Sequence, residues 1–207
     1  MPADQHDGHL GAVYGASRPE EVAALYDGWA ASYEKEMASA GYRHPSVGVA
    51  LLTRYLPRGS GPILDAGCGT GLVGQWLGIL GYSPVEGLDI SEGMLEVARG
   101  KGCYGRLHCL ALGGPLPFAN EEFAGVISTG VFTTGHVGAE GLDELVRICR
   151  VGGVLVLTVK MAIWDAGFAA RLRELALVEV IEQTQPYVSM PGEVGTSPSL
   201  AVVLRRR

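Results

Sequence analysis

The sequence predicts an α/β fold in which a doubly wound, mostly parallel, seven-stranded sheet carries helices on both faces. From residue 62 onward, apolar segments of strand length alternate with helical patterns, and a glycine-rich turn follows the first of these strands. The last two strands have no helix between them. Repeated β–α units place their strands parallel, whereas strands joined without a helix pair antiparallel. We therefore expect an antiparallel hairpin at the carboxyl-terminal edge of the sheet.

Each element can be assigned from hydrophobic periodicity and turn residues. The predicted strands cover residues 62–65, 85–89, 106–112, 123–129, 154–159, 178–183 and 199–204. The predicted helices between them cover residues 72–80, 91–99, 141–149 and 168–176. Ser91 is expected to cap its helix, because a serine hydroxyl can accept from the unpaired N–H groups of the first turn.

Two segments precede this core. Residues 1–18 are polar and glycine-rich, which predicts a flexible amino-terminal segment. Residues 19–207 are expected to form one domain, with lid helices over 19–58 and the α/β core over 62–207. Ser17 followed by Arg-Pro-Glu-Glu predicts a helix start with Ser17 as the cap. The apolar residues at helical spacing in this first helix are Val22, Leu25, Tyr26, Trp29 and Tyr33, and residues 46–55 form a second amphipathic stretch.

Composition narrows the class of protein. A chain of 207 residues with 47% hydrophobic residues can build one domain with a sizeable core. Its net charge of −6 argues against a nucleic-acid partner. The four cysteines form no C-x-x-C pair, so neither a metal site nor a redox pair is indicated, and a reducing compartment is the simplest setting. No signal pattern or membrane-length apolar run is present. We expect a cytoplasmic monomer or homodimer without a membrane partner.

Residues 63–71, Ile-Leu-Asp-Ala-Gly-Cys-Gly-Thr-Gly, carry the strongest functional signal. Glycines at a strand-to-helix turn let the backbone approach a ligand, and the following helix presents unpaired N–H groups. Asp65 stands at the strand end just before the glycines, which predicts a ligand with a cationic group there. This combination favours a nucleoside that bears an amino acid, with S-adenosylmethionine as the expected cofactor.

The same stretch also matches a dinucleotide fingerprint. Gly69-Thr-Gly71-Leu-Val-Gly74 fits G-x-G-x-x-G, and Asp89 lies 20 residues after Gly69, where a ribose-binding acid is expected. A carboxylate at Asp65 would repel a pyrophosphate, and the chain leaves little length for a separate substrate domain. A nicotinamide-dependent reductase is therefore the less favoured alternative.

With these pieces placed, the chain resembles the class I S-adenosylmethionine-dependent methyltransferases, whose fold is Rossmann-like. Residues 63–72 are similar to the first motif of the family, and Leu88-Asp-Ile-Ser-Glu-Gly-Met-Leu to the second. Residues 115–128 are similar to the segment entering the fourth strand, and residues 147–153 to the turn before the fifth. Residues 26–33 and Gly135-His136-Val137 resemble a subgroup of small methyltransferase-like proteins that includes one from the vertebrate Williams–Beuren region.

The resemblance implies a small-molecule methyl acceptor and a set of cofactor contacts. Asp65 would accept from the methionyl ammonium, the glycine backbone would line the methionine portion, and Asp89 would accept both ribose hydroxyls. The complete set of expected cofactor-binding residues is Tyr33, Asp65, Gly67, Cys68, Gly69, Gly71, Asp89, Ile90, Met94, Ala111, Leu112 and Thr129. Ordinary core packing is the alternative for Met94, and also for the aromatic residues of the first lid helix other than Tyr33.

Methyl transfer requires chiefly that the acceptor be aligned and water excluded, so a general base is optional. His136 is the candidate catalytic residue, because it would lie just beyond the fourth strand. Its alternative role is to fix that loop by hydrogen bonding. Trp164, Tyr187 and Met190 are expected to line an acceptor pocket. A non-catalytic binding protein of the same fold is a further alternative, which the intact Asp65, glycine loop and Asp89 disfavour.

Overall fold

A computed structural model describes residues 8–16, 18–133 and 135–207, and seven segments of this part of the chain form one sheet. The strands are β1 (Ile63–Ala66), β2 (Val85–Asp89), β3 (Arg106–Cys109), β4 (Phe123–Phe132), β5 (Cys149–Lys160), β6 (Val178–Gln183) and β7 (Ser199–Arg206). Their order is β3-β2-β1-β4-β5-β7-β6. Strands β1 to β5 pair in parallel, and β7 pairs antiparallel with β5 and β6. The predicted fold class and the edge hairpin are confirmed.

Helices cover the sheet on both faces and at its carboxyl edge. They are α1 (Gly8–Gly15), α2 (Pro19–Trp29), α3 (Tyr33–Ser39), α4 (His44–Tyr55), α5 (Leu72–Ile79), α6 (Glu92–Gly100), α7 (Leu142–Ile148), α8 (Met161–Ile163) and α9 (Ala169–Glu174). A 3₁₀ turn at Ala139–Gly141 precedes α7, and a π-helical turn at Trp164–Phe168 joins α8 to α9. None of the helices in the described ranges has the length and apolar character needed to cross a bilayer.

The amino-terminal part differs from the prediction. Within the segment expected to be flexible, residues 8–15 form helix α1, whose Val13 is fully buried. The predicted cap Ser17 lies outside the described residues, and α2 begins at Pro19. The first lid helix was expected to continue through Tyr33 but breaks after Trp29. Across this break the rings of Trp29 and Tyr33 meet edge to face, with their centroids 4.8 Å apart.

Five strands have bounds that differ from the sequence prediction: β1 and β7 by one or two residues at an end, and β3, β4 and β5 by three or more. Strand β3 ends at Cys109. The Leu110 N–H makes the last hydrogen bond to β2, to the Asp89 carbonyl, and the chain then leaves the sheet. Strand β4 extends to Phe132, and its register against β5 shifts beyond residue 128. Strand β5 includes the glycine turn predicted before it, with Gly152 at a φ of +78°. At their carboxyl ends, β4 is therefore longer than predicted and β3 is shorter than predicted.

Alternating side chains bury both faces of the sheet, as expected for strands covered on two sides. Leu64 and the residues that share its face of the sheet pack against α7 and α9. Ile63 and the residues that share the opposite face pack against α4 and α5. The residues on the first face include Leu64, Val126, Leu155 and Val202, and those on the second include Ile63, Ile127, Val156 and Val203. This double burial fixes the positions of the loops at the carboxyl edge.

Ser91 joins the lid to this edge. Its Oγ accepts from the Met94 N–H at 3.0 Å, which confirms the predicted cap of α6. The same hydroxyl donates to Oδ1 of Asp27 on α2 at 2.6 Å, and the Gly93 N–H donates to that carboxylate at 2.8 Å. One buried hydroxyl thus serves a helix cap and a contact between two helices.

We predict that Ser91→Ala lowers the free energy of unfolding by about 1–2 kcal/mol, because it removes a cap and leaves the Met94 N–H without its partner. Urea denaturation measures the change. Ser39→Ala is the matched control, since the exposed Ser39 hydroxyl bonds only a carbonyl of its own helix, and its effect should stay within about 0.5 kcal/mol. Equal losses in the two variants would contradict this account of Ser91.

Candidate functional site

A cavity of about 270 Å³ lies between the carboxyl edge of the sheet and helix α2. Its floor is formed by the loops that follow β1, β2, β3 and β4, and its cover by the lid. In open α/β sheets, ligands bind in such a crevice outside the carboxyl ends of the strands. The cavity is therefore the candidate site.

The glycine loop after β1 presents two residues to the cavity, Gly67 and Gly69. Gly67 has a φ of +81°, and a Cβ there would lie 2.2 Å from Cγ2 of Val131, so only glycine fits. A Cβ at Gly69 would meet nothing within 4 Å, which leaves its backbone open to a ligand.

The N–H groups of this loop already have partners inside the protein. Those of Gly67 and Cys68 donate to the Leu88 carbonyl at 2.8 and 2.9 Å. The Gly69 N–H donates to Oδ2 of Asp89 at 2.8 Å. A pyrophosphate on this loop would have to displace these bonds, and it would meet the negative charge of Asp89.

Asp89 lies at the end of β2, as predicted, and lines the cavity, and its contact with a ribose stays a prediction. Besides the bond from Gly69, its Oδ1 accepts the Ser91 N–H at 2.9 Å. Burial raises the pKa of Asp89 above its usual range, although the backbone N–H bonds lower it in part. Each carboxylate oxygen keeps further acceptor capacity, so the group can bind hydroxyls from the cavity while it holds both loops.

Asp65 lies away from the position predicted for it. Its side chain is buried and absent from the cavity wall, and the Tyr104 hydroxyl donates to its Oδ2 at 2.6 Å. The same hydroxyl accepts the Gly74 N–H at 3.1 Å. Burial raises the pKa of Asp65 to about 7. The Asp65 carboxylate thus faces Tyr104 and not the cavity, its contact with a cationic ligand group stays a prediction, and Tyr104 was not identified from the sequence.

Two further predicted contacts, Gly71 and Cys68, also lie outside the cavity. Gly71 caps α5 with a φ of +91°, and a Cβ there would lie 3.0 Å from the ring of Tyr104. Cys68 is buried with its Sγ against Gly87, and burial raises the pKa of its thiol. Gly67 and Gly69 thus face the cavity, whereas Cys68 and Gly71 face the protein interior.

The far end of the cavity is apolar. Four residues expected to contact the adenine line it together with Leu110: Ile90, Met94, Ala111 and Leu112. Met94 is only 1% exposed, so it belongs both to the cavity wall and to the core. Such a cleft fits a flat, weakly polar ring held by packing and main-chain contacts.

Three tyrosines of the lid line the cavity: Tyr26, Tyr33 and Tyr42. Tyr33 was expected there, whereas Tyr26 was assigned to core packing and Tyr42 was not identified. Burial raises the pKa of all three hydroxyls. Trp29 is only 2% exposed and does belong to the core. The lid therefore presents phenol groups to the site.

His136 lines the cavity with both ring nitrogens hydrogen-bonded. Its Nδ1 lies 2.9 Å from Oγ1 of Thr133, and its Nε2 lies 2.9 Å from the hydroxyl of Tyr26. These bonds tie the loop after β4 to helix α2, which favours the loop-fixing alternative. A catalytic role of His136 stays a prediction. Thr129, near the middle of β4, lines the cavity as expected.

The residues expected to line an acceptor pocket lie apart from this cavity. Trp164 stacks on Phe168 with ring centroids 5.9 Å apart, against the sheet core. The Tyr187 hydroxyl lies 2.7 Å from Nδ1 of His44. Met190 is buried beneath the lid, where it lines a second and smaller cavity.

Comparison with known proteins agrees with this geometry. A family model described as a methyltransferase domain matches residues 64–157. Methyltransferase-like protein 27 of Homo sapiens is 39% identical over 142 residues, which cover 66% of this chain and 56% of that protein. The chain spans about half the length of the curated relatives it matches, from 46% to 60%.

Solved structures show the same fold. A TehB-like SAM-dependent methyltransferase from Corynebacterium glutamicum aligns with a TM-score of 0.64 at 21% identity, covering 89% of this chain and 99% of that one. A chain from the complex between the Haloferax volcanii Trm112 methyltransferase activator and the putative methyltransferase aligns with a TM-score of 0.67 at 20% identity. That alignment covers 87% of this chain and 97% of the other.

The buried carboxyl group of Asp65 predicts a pH dependence of stability. Its pKa of about 7 in the folded state lies above the usual value of about 4 for an unfolded chain. The folded state therefore binds the extra proton between these values, and the free energy of unfolding falls as the pH rises through this window. Asp65→Asn removes the titration. We predict that the wild type loses about 2 kcal/mol more than Asp65→Asn between pH 5 and pH 8.

Urea denaturation at pH 5 and pH 8 measures this difference. Asp165→Asn, a change at an exposed acidic residue, is the control and should follow the wild-type pH dependence. Parallel pH profiles for the wild type and Asp65→Asn would show that Asp65 is ionised throughout this range.

Proposed function

Because the chain belongs to the class I S-adenosylmethionine-dependent methyltransferases, we propose that it binds S-adenosylmethionine in the cavity at the carboxyl edge and methylates a small-molecule acceptor. The position of Asp89 carries the proposal. Its carboxylate accepts the Gly69 N–H of the glycine loop, and the next residue, Ile90, lines the cavity together with Leu112. This order matches the methionine, ribose and adenine portions of the cofactor.

The chemical character of each region supports this placement. Asp89 offers two carboxylate oxygens to the paired ribose hydroxyls, and charge-assisted hydrogen bonds of this kind are strong. The apolar residues around Met94 suit an adenine ring. Electron-rich faces of Tyr26 and Tyr33 suit the positive charge of a sulfonium. When bound, the cofactor supplies an activated methyl group.

The same features disfavour a nicotinamide dinucleotide. The loop N–H groups that would cradle a pyrophosphate already bond the Leu88 carbonyl and Asp89. Asp65 does not contribute to this discrimination, since its carboxylate faces Tyr104 and not the cavity.

The residues around the cavity have two tasks in the proposed reaction. They must align the acceptor with the methyl group and exclude water, and neither task needs a proton transfer. The tyrosines cover the site, and His136 holds Tyr26 in place through its 2.9 Å hydrogen bond. His136 is thereby proposed as a positioning residue. A small acceptor fits a site that is covered in this way.

The cellular setting is also a proposal. All four cysteines are free thiols, as in proteins of a reducing compartment, which supports a cytoplasmic location. Membership of the small methyltransferase-like subgroup remains a prediction from the sequence.

Calorimetric titration with S-adenosylmethionine, S-adenosylhomocysteine and NADH tests the proposal. We expect micromolar dissociation constants for the first two ligands, about −7 to −8 kcal/mol, and no binding of NADH. Binding of NADH together with a flat titration of both adenosyl ligands would contradict the proposed function.

Asp89→Asn tests the assignment of the ribose site. An amide has a single oxygen for the Gly69 N–H, the Ser91 N–H and the ribose hydroxyls, so we predict that S-adenosylhomocysteine binds about tenfold more weakly, about 1.4 kcal/mol. Glu92→Gln is the control, since this exposed carboxylate pairs with Arg99 on the surface of α6, and its affinity should match the wild type. Unchanged affinity in Asp89→Asn would place the ribose elsewhere.

A further inference from the structure

The third glycine of the G-x-G-x-x-G match, Gly74, serves a purpose outside the cofactor cavity. It lies in the first turn of α5 and is not part of the cavity wall. A Cβ at Gly74 would lie 2.2 Å from Cζ of Tyr104. Only glycine therefore fits at this position, and the group that it accommodates is a tyrosine ring.

Two more glycines leave room for the same ring. A Cβ at Gly71, which caps α5, would lie 3.0 Å from Cε2 of Tyr104. A Cβ at Gly87, in the middle of β2, would lie 3.1 Å from Cε1 of that ring and closer still to Leu107 and Cys68. Glycine in the interior of a helix or strand costs stability. Three glycines around one ring therefore indicate that the place of Tyr104 is important to the protein.

The hydroxyl of Tyr104 joins the two ends of the glycine loop. It donates to Oδ2 of Asp65, in β1, at 2.6 Å, and it accepts the N–H of Gly74, in α5, at 3.1 Å. The chain between these two points includes Gly67 and Gly69, which line the cavity. One oxygen thus fixes both the strand before the loop and the helix after it.

The charge state of Asp65 depends on this contact. The residue is only 1% exposed, and burial raises the pKa of its carboxyl group to about 7, whereas the hydrogen bond from Tyr104 lowers it. A hydrogen bond to the charged form of a group favours that form. Tyr104 therefore favours the ionised carboxylate near neutral pH.

The other groups that act on Asp65 lie mainly on β2 and in the loops beside it. The Asp89 charge raises the pKa of Asp65, and the thiols of Cys68 and Cys103 stay neutral because burial raises the pKa of each. The neighbouring β4 and α5 contain no titratable side chain. Since Asp89 lines the cavity and its charge acts on Asp65, a charged ligand beside Asp89 also feels the charge of Asp65.

We propose that Tyr104 is a positioning residue for S-adenosylmethionine, whose amino-acid portion would lie beside Gly67. The tyrosine fixes the loop that presents Gly67 and Gly69, and it keeps a negative charge on Asp65 beneath that loop, which attracts the ammonium group of the ligand. Tyr104 is not part of the cavity wall, so it acts through these groups and not by contact. The proposal rests on the proposed methyltransferase function.

The same arrangement accounts for the resemblance to a dinucleotide fingerprint. Gly71 and Gly74 pack against the Tyr104 ring, and of the three glycines in the match only Gly69 lines the cavity. The glycine spacing is thus explained by the packing of a tyrosine, and it requires no pyrophosphate.

The test is calorimetric titration of the full chain with S-adenosylhomocysteine at pH 6 and pH 8. Tyr104→Phe keeps the ring and removes the hydroxyl. Tyr82→Phe is the matched control, because the buried Tyr82 hydroxyl donates to the Leu56 carbonyl at 2.7 Å and neither residue lines the cavity.

At pH 8 we expect Tyr104→Phe to bind the ligand about tenfold more weakly, because Asp65 loses the donor that favours its ionised form. At pH 6 the carboxyl group is largely protonated in both proteins, so the loss should be about threefold or less. Tyr82→Phe should stay within about twofold of the wild type at both pH values. The ligand's own amino group titrates alike in every protein and cancels in these ratios.

Gly74→Ala repeats the test without removal of the hydroxyl, since its methyl group would displace the Tyr104 ring. We expect the same larger loss of affinity at pH 8 than at pH 6. Gly78→Ala, on the same helix, is its control, because a Cβ there would meet only Cβ of Cys103 at an ordinary 3.8 Å. Urea denaturation shows which variants fold, and Gly74→Ala decides the question if Tyr104→Phe does not.

Three results would overturn the proposal: unchanged or tighter binding in Tyr104→Phe, an equal loss in Tyr104→Phe and Tyr82→Phe, or a loss of the same size at both pH values. The last result would show that the hydroxyl has only a structural role. Failure of S-adenosylhomocysteine to bind the wild type would instead count against the proposed function.

Discussion

The carboxylate of Asp89 joins the two loops on which the cofactor cavity depends. One oxygen accepts from Gly69 in the loop after β1, and the other accepts from Ser91 at the start of α6. Ser91 in turn holds Asp27 of the lid helix α2. A continuous chain of hydrogen bonds thus runs from the glycine loop through the end of β2 to the lid. The group proposed to bind the ribose is therefore also the one that fixes the surrounding backbone before the ligand arrives.

The lid divides the space above the sheet into two compartments of different chemistry. The larger compartment contains a carboxylate and an apolar cleft, and the smaller is lined by the lid tyrosines together with Trp29 and Met190. Tyr26, Tyr33 and Tyr42 form the boundary between them.

Local patterns predicted the sheet and the cavity residues that lie at strand ends. Asp89 and Ile90 could be placed because their positions follow from the strand before them. The partner of Asp65 could not be predicted, since Tyr104 comes 39 residues later and meets it only through packing against α5. Tyr42 lies in a loop without helical periodicity, so its place in the cavity wall could not be predicted either. Contacts between residues distant in the chain leave no periodic signal in a single sequence.

A crystal structure with S-adenosylhomocysteine tests the central claim most directly. The account predicts both ribose hydroxyls within hydrogen-bonding distance of the Asp89 carboxylate, with adenine between Ile90 and Leu112 and the amino-acid end beside Gly67. The bonds from Gly69 and Ser91 to Asp89 should persist in the complex. A nucleoside bound with its ribose away from Asp89, or a glycine loop rearranged so that Gly69 leaves Asp89, would contradict the account.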